Sequence, residues 1–286
     1  MPPLIRQLSN VGNRFFTTSG YINLEYLLKG SPEADTLLFL HGTGLGCRAF
    51  LPNIDHFAND FQVLAVSLRG HGTSSAPLEA TEDNYSIDVM LHDLVELTWS
   101  LNIQQFHLVG NSLGGVIGYE LIRRDPDSLL SLTTFGAPPR HEGGRWAISL
   151  SDKLLNTTGR VRGRKKQAQI FARQLSDNEE TNSFLVDEIF PTTNWDAIRM
   201  VRYNLLQTDY IADLEKCDVP LFFIEPENDF LGKLSSARRA MKDTLHALEN
   251  HPSVKHEILP EAGHLANIDQ PRAFNELLLS YLKNLR

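Results

Sequence analysis

The chain has 286 residues and a formal net charge of −8, from 27 lysines and arginines against 35 aspartates and glutamates. Its composition, with 42% hydrophobic and 22% charged residues, is that of an ordinary globular domain and excludes a disordered or fibrous chain. The acidic balance disfavours non-specific nucleic-acid binding, which needs cations to replace phosphate counterions. Two cysteines, Cys47 and Cys217, are too few for a disulfide framework or a four-thiolate metal site.

The start of the chain shows no secretory signal. Residues 1–7, Met-Pro-Pro-Leu-Ile-Arg-Gln, lack the charged start and apolar stretch that such a signal requires. No run approaches the roughly 18–20 consecutive apolar residues of a membrane-spanning helix. We therefore expect a cytoplasmic protein without a membrane span.

The first predicted elements are β-strands. Residues 13–17 and 21–27 form the arms of a hairpin, because the second arm alternates apolar and polar residues and Thr18-Ser19-Gly20 supplies a turn. Beyond Pro32, short continuous apolar runs are separated by helix-length segments. Continuous runs are typical of strands that are covered on both faces, as in a parallel sheet. These runs lie at residues 36–40, 61–67, 106–109, 130–135, 221–224 and 254–259.

Helical periodicity fills the segments between the runs. Ile87, Met90, Leu91 and Leu94 follow i, i+3, i+4 and i+7 spacing, and a similar pattern begins at Phe274. Alternating strand and helix signals predict an α/β domain with right-handed crossovers.

One long segment, residues 139–206, interrupts the alternation. It contains helical patterns and several aromatic residues but no strand pattern. A helical insertion between two strands of a sheet is a candidate lid, so we divide the chain into a core, 1–138 and 207–286, and a cap, 139–206. The insertion includes a basic run at residues 160–166, which we expect to be a solvated loop. The alternative is that this run binds an anionic substrate or a membrane surface.

The most informative segment is a strand, a sharp turn and a helix around residue 112. The turn has the sequence Gly110-Asn111-Ser112-Leu113-Gly114, a G-x-S-x-G pattern. A nucleophile held at a strained strand-to-helix turn leaves no room for side chains two positions before and after it. The following helix points its N-terminal amides at the turn, which favours developing negative charge. The pattern predicts that Ser112 is a nucleophile.

Acyl transfer also needs two N–H donors for the carbonyl oxygen that gains charge. The amide of Leu113, directly after the nucleophile, is one candidate. The amide of Thr43 is the other, because the loop His41-Gly42-Thr43-Gly44 follows a predicted strand. We expect His41 itself to have a structural role.

A base and an acid lie on two later loops. His264 lies between the last predicted strand and the last helix, where it could reach a serine hydroxyl as a general base. Asp229 follows the strand at 221–224 and could orient the imidazole, with Glu225 and Glu227 as alternatives. The chain order of serine, aspartate and histidine is a known one for hydrolytic triads on α/β sheets.

Together these residues resemble the α/β-hydrolase superfamily over nearly the whole chain outside the insertion. Further matches are the segments Ser67-Leu68-Arg69-Gly70-His71-Gly72-Thr73-Ser74 and Ala262-Gly263-His264. The resemblance implies an eight-stranded, mostly parallel sheet flanked by helices, with the insertion as a helical cap over the site. Two positions depart from the family's pattern: Ser67 stands where relatives usually carry Asp, and Glu225 stands where many carry Gly.

The resemblance implies a serine hydrolase that cleaves a carboxylic ester through an acyl-enzyme. It assigns Ser112 as nucleophile, His264 as base and Asp229 as the residue that orients it, with the amides of Thr43 and Leu113 in the oxyanion hole. The substrate pocket is assigned to Gly42, Asn111, Trp146 and Leu265. We expect no metal or organic cofactor, a small-molecule ester as partner, and a monomer or homodimer.

Other members of the superfamily remain as alternatives. Epoxide hydrolases and haloalkane dehalogenases need a carboxylate nucleophile, so Ser112 argues against both. The turn is similar to that of carbon–carbon bond hydrolases of ring-cleavage products, but these often carry Trp where this chain has Leu265. Enol-lactone hydrolases and cofactor-free perhydrolases share the same core, and a ligand-binding signalling protein on this fold is the alternative from a different class.

Overall fold

The computed structural model describes residues 12–206 and 208–285, so the segment 1–7 that bears on a secretory signal lies outside the described residues. In this part of the chain eight strands form one sheet. They are β1 (Arg14–Thr17), β2 (Asn23–Lys29), β3 (Thr36–Leu40), β4 (Gln62–Val66), β5 (Phe106–Asn111), β6 (Leu129–Phe135), β7 (Leu221–Pro226) and β8 (Val254–Leu259). Their order across the sheet is β1-β2-β4-β3-β5-β6-β7-β8.

The sheet is mostly parallel, as the sequence predicts. β1 and β2 form the predicted hairpin, and β2 also pairs antiparallel with β4. All pairs from β4 to β8 are parallel. All five residues of β3 are buried, which explains why its sequence is continuously apolar rather than alternating. Strand β8 lies at the edge and is mostly half-buried or exposed.

Helices cover both faces of the sheet. One apolar cluster packs the helices Ile87–Ser100 and Leu113–Arg124 against one face, and a second packs the helices Leu51–Phe57 and Pro271–Lys283 against the other. The helices are α1 (Leu51–Phe57), α2 (Ile87–Ser100), α3 (Leu113–Arg124), α4 (Arg145–Arg162), α5 (Arg164–Leu175), α6 (Glu179–Phe184), α7 (Trp195–Leu205), α8 (Ile211–Lys216), α9 (Ser235–Ala247), α10 (Ala266–Asp269) and α11 (Pro271–Lys283). None of these helices is both long enough and apolar enough to cross a bilayer.

The segment between β6 and β7 is helical, and its two ends lie side by side. Arg140 and Asp209 form an isolated antiparallel bridge, and the amide of Tyr210 donates to the carbonyl of Pro139 over 3.1 Å. Helices α4 to α7 follow one another between these ends. The basic run 160–166 is exposed, but it forms the end of α4 and the start of α5. The expectation of a loop there is wrong, because only Gly163, at a φ of 85°, separates the two helices.

The strand order reverses at β3, which determines where a ligand can bind. The chain passes from β3 to β4 on one side and then to β5 on the other. In sheets of this kind ligands bind at the carboxyl ends of the strands beside such a reversal. The loops after β3 and β5 carry the residues 41–44 and 112.

Candidate active site

Ser112 lies at a sharp turn between β5 and α3. Its φ of 49° and ψ of −110° lie in a region that side-chain-bearing residues rarely occupy. The Ser112 amide donates to the carbonyl of Phe135 at the end of β6 over 3.0 Å. The neighbouring strand therefore stabilises the strained backbone of this turn.

The two flanking glycines provide the space that the turn needs. A Cβ atom at Gly110 would lie 2.4 Å from the carbonyl carbon of Gly114. A Cβ atom at Gly114 would lie 2.2 Å from the carbonyl oxygen of Leu40. Both contacts are with backbone atoms, which cannot move aside as a flexible side chain can. The sequence prediction that larger residues do not fit two positions from Ser112 is therefore correct.

His264 and Asp229 form a buried pair beside this turn. The Nδ1 atom of His264 lies 2.9 Å from Oδ1 of Asp229, and both residues are buried. With the Nδ1 proton directed at the carboxylate, Nε2 of His264 is the nitrogen that can accept a proton. The ring of Phe230 packs against the imidazole with a centroid separation of 4.9 Å. The pair has the arrangement required of a general base and the acid that orients it.

The two alternative acids have other partners. Oε2 of Glu225 lies 2.9 Å from Nε2 of His256, and Oε2 of Glu227 accepts a hydrogen bond from the amide of Glu261 over 3.0 Å. Asp229 is thus the one of the three candidates that is hydrogen-bonded to His264.

Asn111 connects the histidine loop to the serine turn. Its side-chain Nδ2 donates to the carbonyl of His264 over 3.1 Å and to that of Phe135 over 3.3 Å. Gly136, the next residue, is so close to the imidazole that a Cβ atom there would lie 2.8 Å from Nδ1 of His264. The loops after β5, β6 and β8 therefore meet at one point of the sheet edge. Asn111, predicted in the substrate pocket, is buried and holds these loops together.

The loop after β3 lies against the same turn. The amide of Gly114 donates to the carbonyl of His41 over 3.1 Å. A Cβ atom at Gly42 would lie 3.2 Å from Cβ of Ser112, so Gly42, a predicted pocket residue, is next to the predicted nucleophile. Leu113 is the first residue of α3, and an amide at that position has no acceptor within its own helix. Thr43 and Leu113 thus lie on two segments that meet at Ser112.

Two buried histidines, His41 in this loop and His71 beside it, have ring centroids 5.0 Å apart. Burial lowers the pKa of His41 to about 3 and that of His71 to about 4. Nδ1 of His41 lies 2.8 Å from the carbonyl oxygen of Gly42, and its Nε2 accepts from the amide of Leu68 over 2.9 Å. These contacts give His41 the structural role expected from the sequence.

An apolar cluster joins the inserted helices to the loops at the site. It contains Leu45 and Leu265 from the core together with Phe171 of α5 and Ile198 of α7. A Cβ atom at Gly44 would lie 2.8 Å from Cδ1 of Ile198 and 3.2 Å from the Phe171 ring, so these side chains lie directly on the loop. Leu265, a predicted pocket residue, is buried within this cluster.

Trp146, the fourth predicted pocket residue, has a different environment. It lies in the first turn of α4 and is largely exposed. The structure does not bring it into the apolar cluster of buried side chains that packs on the loop after β3.

Three residues that the sequence did not single out hold the histidine loop. The amide of His264 donates to the carbonyl of Leu175, the last residue of α5, over 2.9 Å. Ser176 donates from Oγ to Oδ1 of Asp269 over 2.6 Å, and the amide of Gly263 donates to the other oxygen over 2.8 Å. Burial raises the pKa of the Asp269 carboxyl, and these hydrogen bonds oppose that effect. Ser176 and Asp269 are 93 positions apart, so no local pattern connects them.

Ser67 stands where relatives usually carry Asp, and in this protein a carboxylate from another strand lies beside it. Glu25 on β2 is fully buried, and its Oε2 accepts from Oγ of Ser67 over 2.8 Å and from the amide of Thr73 over 2.9 Å. Oγ of Ser67 in turn accepts from the amide of Cys47 over 2.8 Å. In the described part of the chain, no three His, Cys, Asp or Glu side chains cluster as they would around a metal ion.

Known proteins resemble this chain over almost its full length. The Alpha/beta hydrolase family matches residues 37–277. The putative carbamate hydrolase RutD of Stutzerimonas stutzeri is 27% identical over 270 residues, 91% of this chain and 96% of that protein. The carboxylesterase YbfK of Bacillus subtilis is 21% identical, with 94% and 87% covered. The solved structure of the enol-lactonase from Burkholderia xenovorans LB400 has a TM-score of 0.79 at 20% identity, with 94% and 100% covered.

Proposed function

The chain belongs to the alpha/beta hydrolase family, and we propose that it is a serine hydrolase that cleaves a carboxylic ester through an acyl-enzyme. The observation that carries the proposal is the buried hydrogen bond between His264 and Asp229 beside the strained turn of Ser112. A serine hydroxyl is a weak nucleophile and needs an adjacent base that a third group orients. The pair supplies such a base.

The proposed reaction has two halves. Nε2 of His264 takes the proton of the Ser112 hydroxyl as Oγ attacks the ester carbonyl, and the amides of Thr43 and Leu113 donate to the resulting oxyanion. His264 then gives this proton to the alcohol as the ester bond breaks, and the acyl group remains on Ser112. Water, deprotonated by His264, then attacks this acyl group; the bond to Oγ of Ser112 breaks, His264 returns the proton to Oγ, and the acid is released. Asp229 stabilises the imidazolium ion in both halves.

We further propose that residues 139–206 act as a cap and line the acyl site. The side chains of Phe171 and Ile198 pack against the loop that carries Thr43, and Leu265 directly follows the proposed base in sequence. An apolar wall at this position favours an acyl chain over a charged substituent. Trp146 is left out of the pocket because it is exposed on α4.

A carbamate is the second candidate substrate. Five curated relatives that carry the name putative carbamate hydrolase RutD are 26–29% identical and cover 87–91% of this chain. A carbamate presents the same carbonyl to Ser112, so the proposed groups would perform the same steps. Ester and carbamate substrates would therefore differ in the group next to the carbonyl that occupies the proposed pocket, and not in the catalytic steps.

The test compares hydrolysis of p-nitrophenyl esters, from acetate to long acyl chains, and of phenyl carbamates. We expect turnover that peaks at one chain length and falls by at least about 1000-fold in Ser112→Ala. Ser183→Ala is the matched control, since this serine is exposed on α6. Full activity of Ser112→Ala would refute the mechanism. A folded wild-type protein that cleaves neither class would refute the substrate assignment, and ring-cleavage dienoates and enol-lactones would be tested next.

A further inference from the structure

Helix α4 exposes a line of large apolar side chains. Trp146, Leu150, Leu154 and Val161 are between 62% and 76% exposed, and we refer to these four residues as the apolar stripe. At about 100° per residue they fall within a sector of about 80° around the helix. The first and last stripe residues are about 22 Å apart along the axis. Contiguous apolar surface of this kind marks an interaction site in soluble proteins.

The opposite side of α4 fixes the helix to the protein. Leu155 and Asp152 are its buried residues, and Oδ1 of Asp152 accepts a hydrogen bond from Arg202 of α7. The stripe consequently faces away from α5 and α7, against which the helix packs. The stripe is therefore not the part of α4 that packs on the inserted helices.

The basic run adds positive charge at the end of the stripe. Arg164 donates to Gln167, and Lys165 lies 3.8 Å from Asp187. Within residues 12–206 and 208–285, no acidic group forms an ion pair with Arg160, Arg162 or Lys166. This local excess of cations lies on a chain whose net charge is −8.

We infer that the apolar stripe and the basic run dock the protein on an anionic lipid surface. A helix with Trp and Leu on one side and flanking Lys and Arg lies in the plane of a membrane interface. The apolar side chains enter the boundary between headgroups and acyl chains, and the cations pair with anionic headgroups.

Charge distinguishes a lipid surface from a second copy of the chain. Asp152 is the one acidic residue in the sequence of α4, and it is buried. Two α4 helices packed stripe to stripe would place cations next to cations in the parallel arrangement. In the antiparallel arrangement, the basic run would face the first turn, where Arg145 already pairs with Glu82. An anionic surface complements this helix, whereas another α4 does not.

The test measures cosedimentation of the full-length protein with lipid vesicles. We expect binding to vesicles of phosphatidylcholine with an equal amount of phosphatidylglycerol, little binding to phosphatidylcholine alone, and weaker binding as salt is added. Equal binding to both vesicles, or binding to neither, overturns the inference. A different outcome is a wild type that forms a dimer in solution and binds no lipid. If Leu150→Ser and Leu154→Ser then dissociate this dimer, a second copy of the chain covers the stripe.

Matched variants separate the stripe from exposed residues elsewhere. Trp146→Ser should weaken binding on the order of tenfold, whereas Trp99→Ser, which removes an equally exposed tryptophan from α2, should leave it unchanged. Arg160→Gln should weaken binding about fivefold, and Arg272→Gln on α11 should not. If Trp146→Ser binds vesicles as Trp99→Ser does, or Arg160→Gln binds them as Arg272→Gln does, α4 is not the docking site.

Discussion

The hydrogen bond between Ser176 and Asp269 predicts that Ser176→Ala is destabilising. The serine is buried, so bulk water does not replace the hydroxyl that donates to the carboxylate over 2.6 Å. A hydrogen bond to a charged group contributes about 1.5–3 kcal/mol. We therefore expect the free energy of unfolding to fall by about 1.5–3 kcal/mol, measured by urea denaturation.

The same substitution should slow the proposed reaction. Asp269 holds the amide of Gly263, and the carbonyl of Leu175, next to Ser176, holds the amide of His264. A misplacement of about 1 Å at a reacting group can cost about 100-fold in rate. Because two of these three hydrogen bonds remain in Ser176→Ala, we expect kcat to fall on the order of tenfold. KM should stay nearly constant, since the apolar residues of the proposed acyl site are unchanged.

The assay pairs urea denaturation with initial rates on the best p-nitrophenyl ester. Ser183→Ala is the control, because its hydroxyl donates to the carbonyl of Glu179 on an exposed helix face. Identical stability and identical kcat in Ser176→Ala and Ser183→Ala would refute the reasoning. A loss of stability with an unchanged kcat would show that the hydrogen bond does not position His264.

Three further predictions follow from buried groups. The unfolded chain takes up protons on His41 and His71 near pH ~6.5, whereas burial delays this uptake in the folded protein to about pH 4 and below. The free energy of unfolding should therefore fall as the pH drops from about 6.5 to about 4, by about 1.4 kcal/mol per pH unit for each histidine. A free energy of unfolding that stays constant over this range in urea denaturation would contradict the prediction. Gly136→Ala should abolish ester turnover, because φ is 60° and the new Cβ would lie 2.8 Å from the His264 ring; wild-type rates would refute it. Glu25→Gln should lower the thermal midpoint and reduce the free energy of unfolding by about 1.5–3 kcal/mol, because the amide cannot accept all three hydrogen bonds that the carboxylate accepts from Asn13, Ser67 and Thr73; an unchanged midpoint would show that the charge is not needed.

The strands were predictable because burial on both faces leaves a continuous apolar run. The bounds of β3 match the predicted run, and those of β4 to β7 differ by one or two residues at their ends. The bounds of β8 also match, although this edge strand is mostly half-buried or exposed and burial does not explain its pattern. The serine turn was predictable for a related reason. The close approach of Gly110 and Gly114 to backbone atoms restricts those positions to glycine, and this restriction is visible as a local pattern.

The packing of the insertion was not predictable in the same way. Several apolar positions on α4 face solvent and one, Leu155, is buried, so the pattern alone does not indicate which side of the helix packs on the protein. Trp146 was assigned to the pocket on its residue type, and the structure places it on the exposed side. Contacts such as that between Ser176 and Asp269 join distant parts of the chain, and short polar residues of these types occur in many turns.

The inserted helices are attached to the rest of the protein to very different degrees. Helix α5 is fixed by Phe171 on the loop after β3 and by the carbonyl of Leu175 on the amide of His264. It cannot move away without disturbing the proposed base and the proposed oxyanion loop together. Helix α4 has two buried residues among its 18, so its displacement exposes far less apolar surface. If residues 139–206 are the proposed cap, we therefore expect substrate entry to displace α4 at a lower cost than α5, and α4 is also the helix that carries the apolar stripe.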